Sequence, residues 1–69
     1  MYEVFYLTRD DWGKILWVKV CNPRFFKKFN SAVKAANKRG RYAYVHKYGT
    51  PHAVYTSFQG KPDEMVAKV

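Results

Sequence analysis

A row of aromatic side chains at two-residue spacing is the feature that most constrains how this chain folds. The row lies in RYAYVHKYG, residues 41–49. Side chains of an extended backbone point alternately to two faces, so one face carries Tyr42, Tyr44, His46 and Tyr48. The other face carries the small Ala43 and Val45, which suit packing beneath a helix. The pattern therefore predicts a strand with a helix on one side and rings on the other.

Three further segments predict the rest of the sheet. YEVFYLT (2–8) and KILWVKV (14–20) are rich in aromatic and β-branched residues, which favour strands. They flank RDDWG, whose Asp and Gly residues suit a turn, so the two strands form a hairpin. PHAVYTSF (51–58) pairs with the aromatic row in a second hairpin.

Residues 22–39 fit two arrangements. In the first, the Asn-Pro pair at 22–23 caps and begins one helix of about 17 residues that stops at Gly40. In the second, RFFKKF forms a third short strand, and the Asn-Ser pair at 30–31 caps a shorter helix that ends at Arg39. Asn and Ser are unfavourable inside a helix, which slightly favours the second arrangement.

Together these elements predict an α+β fold. The expected architecture is an antiparallel sheet of four or five strands, with one helix packed on one face. Residues 1–60 are expected to form a single domain, and residues 61–69 a C-terminal tail with at most one helical turn. A domain of this size buries only about 60% of the surface of its unfolded chain, so we expect modest stability.

Charge is the second strong feature of the sequence. Thirteen Lys and Arg residues against five Asp and Glu residues give a net charge of +8. No acid occurs between Trp12 and Pro62, whereas eleven cations do. Self-repulsion of this kind destabilises a compact chain, and a negatively charged partner relieves it. The distribution favours an acidic partner such as nucleic acid.

Catalytic and metal-binding patterns are not evident, so we expect a non-enzymatic protein without metal or cofactor. Asp10 and Asp11 are interpreted as turn residues, and His46 and His52 as surface histidines without a nucleophile. Cys21, the single cysteine, is expected to be a small buried residue. It allows no internal disulfide, and no apolar run reaches about 18 residues. We therefore expect a cytoplasmic protein without a membrane span.

The segment 39–48 resembles the signature of the RNA-recognition-motif family. That signature runs basic, Gly, aromatic, small, aromatic, aliphatic, any residue, aromatic. In RGRYAYVHKY an Arg is inserted after Gly40, and another residue precedes Tyr48. The resemblance places Tyr42 and Tyr44 where the family's base-stacking aromatics lie. It is local, because the family fold has two helices in a βαββαβ order and a longer chain.

A second resemblance extends from Trp17 to Ser57. The segments WVKV, FNSAVKAANKRG and VHKYGTP together resemble a group of small uncharacterised bacterial and phage domains. These domains have strands, one Ala-rich helix and a final hairpin, which implies the fold and the shorter helix here. The resemblance implies no activity. Short lysine-rich chains of this kind are also common among phage accessory proteins that act on host machinery.

The preferred functional hypothesis is a module that binds DNA or RNA with little sequence preference. The expected phosphate contacts are Lys27, Lys28, Lys34, Lys38, Arg39, Arg41 and Lys47. The expected ring contacts are Tyr42, Tyr44 and Trp17. The alternative role for the rings is packing across the second face of the sheet.

The alternative functional hypothesis is a phage-encoded inhibitor that docks on an acidic patch of a host protein. A nuclease, a polymerase or a CRISPR-type defence complex would be such a target, and the aromatic residues would then anchor the interface. The protein would act in the host cytoplasm. A third hypothesis is a structural piece whose sheet edges pair between copies. A monomer and a dimer are both compatible with the sequence.

Overall fold

The computed structural model describes residues 1–58 and 61–68 and forms one antiparallel sheet with a helix against it. Its elements in chain order are β1 (Tyr2–Arg9), β2 (Ile15–Lys19), α1 (Phe29–Arg39), β3 (Ala43–Lys47), β4 (Ala53–Thr56) and α2 (Pro62–Lys68). The strand order is β2-β1-β3-β4, and every neighbouring pair is antiparallel. The predicted α+β fold with a helix on one face is confirmed, and of the four or five expected strands the described sheet has four.

The core lies between α1 and the two central strands. Ala32 and Ala36, one turn apart on α1, are fully buried. They pack with Val4 of β1 and with Ala43 and Val45 of β3. Because side chains this small cover both surfaces, the helix can approach the sheet closely. The predicted placement of Ala43 and Val45 beneath the helix is confirmed.

The first hairpin turns at Asp10. The carboxylate oxygen Oδ1 of Asp10 accepts the backbone N–H of Trp12 at 2.9 Å and that of Lys14 at 2.8 Å. The Asp10 carbonyl accepts the N–H of Gly13 at 3.0 Å, and Gly13 has a φ of 79°, which glycine adopts without strain. Asp10 is therefore a turn-forming residue, as the sequence predicts.

Residues 20–29 follow the second of the two predicted arrangements only in part. The helix begins at Phe29 with Lys28 as its N-cap residue, so the predicted cap at 30–31 is wrong. The predicted third strand is reduced to one bridge, in which Phe26 and Tyr2 exchange two backbone hydrogen bonds of 2.8 Å. β2 ends at Lys19, so the segment 20–28, rather than β2, lies beside the start of β1.

The C-terminal segment forms more structure than the single turn that the sequence predicts. α2 spans seven residues, and its Met65 is fully buried. Met65 is not part of the core cluster beneath α1. The predicted domain boundary at residue 60 lies outside the described residues.

Candidate nucleic-acid interface

Five exposed cations lie on or just before α1, and we call them the α1 cationic surface. Lys34 and Lys38 are four residues apart and therefore share one side of the helix, and both are exposed. The guanidinium carbon of Arg39 lies 5.4 Å from the ring centroid of Tyr6. The full set is Lys27, Lys28, Lys34, Lys38 and Arg39.

No acid neutralises this surface within the described residues. The ion pairs found there both involve Glu3, which faces away from α1 because its neighbour Val4 faces the helix. Asp10 and Asp11 lie in the first hairpin turn, and Glu64 accepts the backbone N–H of Lys61 at 3.2 Å. The charge of the α1 cationic surface is therefore left for solvent or a partner.

The sheet face opposite α1 carries a packed group of rings. The Tyr44 ring stacks on Phe5 with centroids 5.0 Å apart and planes 17° from parallel. The Trp17 ring meets Tyr44 edge-on at 4.8 Å. Nearby, the Tyr42 ring lies 5.1 Å from Phe58. The rings are half-buried and engaged with one another, which corresponds to the packing alternative.

Arg41 lies beside this ring group rather than on α1. Its guanidinium carbon is 5.7 Å from the Tyr42 ring centroid and 5.3 Å from that of Phe58. Side chains alternate along β3, so Lys47 lies on the face opposite the ring row. Its register partner is Tyr2, and the Tyr2 ring contacts Phe29 of α1. Lys47 is thus on the α1 side of the sheet, at the far end of β3.

The structure therefore divides the ten predicted site residues between two faces. Five form the α1 cationic surface, and Lys47 lies on the same side of the sheet. The other four lie on the opposite face or its border: Trp17, Arg41, Tyr42 and Tyr44. A single ligand that contacts all ten would have to pass around an edge of the sheet.

Glu3 and its partners form a polar cluster that sequence reasoning missed. Glu3 Oε2 lies 2.9 Å from Lys19 Nζ, and Glu3 Oε1 lies 3.4 Å from His46 Nδ1. The hydrogen bond from Lys19 holds the pKa of Glu3 below its ordinary value, with a smaller contribution from His46, although burial opposes the shift. The cluster removes Lys19 from the cations available to a polyanion.

His46 is half-buried rather than a free surface histidine. Its other ring nitrogen, Nε2, contacts the backbone carbonyl of Thr50. Through His46, the turn between β3 and β4 is connected to Glu3.

The single cysteine, the possible metal ligands and the helices of the described residues indicate no further site. Cys21 is exposed, so its predicted burial is wrong. Its thiol contacts the carbonyl oxygen of Lys19 at 3.4 Å. Within residues 1–58 and 61–68, no group of three or more His, Cys, Asp and Glu side chains is placed to hold a metal ion. In the same part of the chain, no helix combines the length and apolar character needed to cross a membrane.

Comparisons of the chain with protein-family models, with curated proteins and with solved structures find no match.

Proposed function

We propose that this domain is a small non-enzymatic module that binds nucleic acid through phosphate contacts of the α1 cationic surface. The observation that carries the proposal is the lack of acid partners for these five cations among the described residues, in a chain of net charge +8. Clustered, unpaired Lys and Arg side chains attract polyanions and release their counterions.

Phosphate contacts fit the geometry better than base stacking on the sheet. Stacking needs open ring faces, and Tyr44 already stacks on Phe5 while Trp17 abuts its ring. Phosphate contacts orient a protein on nucleic acid without reading its sequence. The proposal therefore includes low sequence preference.

Fluorescence anisotropy with labelled oligonucleotides over a range of salt concentrations tests the proposal. If the five cations each contact a phosphate, a plot of log affinity against log salt has a slope of roughly −3.5 for single strands and −4.5 for duplex. Scrambling the oligonucleotide sequence should leave the affinity nearly unchanged. Lack of binding at low salt would contradict the proposal.

A second candidate function is supported by Trp12. This side chain is 93% exposed at the tip of the first hairpin, on a turn fixed by the Asp10 hydrogen bonds. A large ring held in water on a rigid turn resembles the aromatic anchors that dominate protein interfaces. The candidate is the inhibitor of a host protein, such as a nuclease, a polymerase or a defence complex.

Capture from nuclease-treated host lysate distinguishes the two functions. If Trp12 anchors a protein partner, the wild-type chain should retain a specific protein that Trp12→Ala loses. The exposed Asp11→Asn variant, one residue away, is the matched control and should retain it. Equal capture by wild-type and Trp12→Ala would argue against this second function, while oligonucleotide binding is measured separately.

A further inference from the structure

A groove lies between α1 and the segment that joins β2 to it. Its volume is about 420 Å³, within the range of ligand pockets in proteins. Its lining residues are Val20, Asn22, Pro23, Phe26, Ala35, Lys38 and Arg39.

The groove has an apolar part and a cationic part. Four of its seven residues are apolar, with the Phe26 ring as the largest side chain among them. Lys38 and Arg39 belong to the α1 cationic surface and bring positive charge to the groove. Asn22 adds an amide that can both donate and accept hydrogen bonds. A flat, partly apolar ligand that carries a negative charge matches this combination.

Contacts outside the groove hold two of its lining residues in place. The backbone of Phe26 is fixed by its two 2.8 Å hydrogen bonds with Tyr2. The Arg39 guanidinium is held over the Tyr6 ring at 5.4 Å. A site whose parts are already ordered costs less conformational entropy on binding.

We propose that this groove receives one unstacked base of a single-stranded nucleic acid, while Lys38 and Arg39 contact its phosphate. This inference rests on the proposed function and adds a preference for single strands. A paired base in a duplex is stacked on both faces and must leave the helix before it can enter a pocket. A single strand can present the same base at lower cost.

The first test compares three labelled probes of equal length: oligothymidine, an abasic strand with the same phosphates, and a duplex. The abasic strand keeps the phosphates but lacks the bases. The difference in affinity between oligothymidine and the abasic strand therefore measures the contribution of the groove. We expect oligothymidine to bind about tenfold more tightly than the abasic strand, as one stacked base allows. Ala35→Phe fills the groove and should abolish this difference. Asn30→Phe, which places the same ring on an exposed helix position outside the groove, should preserve it.

An NMR titration gives a readout that does not depend on a variant folding. Thymidine 5′-monophosphate should shift the methyl signals of Val20 and Ala35, whereas ribose 5-phosphate should shift them much less. Equal affinity for oligothymidine and the abasic strand, with these methyl signals unmoved, would overturn the inference and leave the phosphate-binding proposal standing. Absence of binding to all three probes would instead overturn the proposed function and the inference with it.

Discussion

Glu3 shows how one residue shapes the charge distribution of this domain. It makes both ion pairs found among the described residues, and it does so on the face away from α1. Lys19 and His46 lie on the two strands that flank β1, where they pair in register with Phe5 and Glu3, respectively. The acid therefore pairs with Lys19 and His46 on the ring-bearing face and leaves the α1 cationic surface unpaired.

Replacement of Glu3 tests the contribution of this cluster to stability. Because the pKa of Glu3 is lowered in the folded protein, the unfolded chain binds its proton more readily. The stabilisation is therefore complete above the ordinary value of 4.5 and is lost as pH falls through the lower folded value. Glu3→Gln should lower the free energy of unfolding by about 1 kcal/mol near neutral pH.

Urea unfolding of wild-type and Glu3→Gln across pH measures this effect. The difference between the two proteins should shrink as pH falls below 4.5. Asp11→Asn, an exposed substitution in the first hairpin turn, is the control for removing an acid elsewhere. A difference that stays constant down to strongly acidic pH would contradict the role assigned to Glu3.

Single-residue environments were predictable only where local sequence determines them. The turn-forming role of Asp10 follows from residue type and spacing, and the structure confirms it. Glu3 meets His46 only because β1 and β3 pair in one register, which no local pattern reveals. Cys21 was predicted to be buried from its residue type, but it lies in the exposed segment after β2.

At the scale of elements, the strands were the most predictable part. Alternation in the aromatic row correctly placed Ala43 and Val45 beneath the helix, because burial of one face enforces a two-residue period. The partners of the rings on the other face were not predictable. Tyr44 stacks on Phe5 because the two residues are opposite each other in the β1–β3 register.

The start of α1 was less predictable because tertiary contacts set it. Lys28 is the N-cap residue and makes no side-chain capping hydrogen bond. Phe29 instead meets the rings of Tyr2 at 5.5 Å and Tyr55 at 6.5 Å. Packing of this first helical residue against the sheet replaces the polar cap that the Asn-Ser pair at 30–31 suggested.

The sequence indicates which cations make up the α1 cationic surface, but it does not indicate how the predicted site residues are laid out. Lys34 and Lys38 share one side of α1, as their four-residue spacing predicts, whereas Lys27 precedes the helix. The sequence did not show that Arg41, only two residues beyond Arg39, lies beside the ring group on the opposite face. Gly40, with a φ of 142°, ends the helix between them.

At the scale of the whole molecule, charge is unevenly distributed. The chain carries +8, and the described acids lie in the Glu3 cluster, in the first hairpin turn and at α2. Repulsion among the remaining cations lowers the stability of the isolated domain. A bound polyanion offsets that repulsion, so binding and stability should rise together.

The most direct measurement compares two double variants that remove the same charge from different places. Lys34→Gln with Lys38→Gln alters the α1 cationic surface, whereas Arg9→Gln with Lys14→Gln alters exposed positions at the first hairpin turn. For a single strand, the first pair should reduce the salt slope from roughly −3.5 to roughly −2.1, and the second should leave it unchanged. Equal effects of the two pairs would show that net charge alone governs binding and would contradict a site on α1.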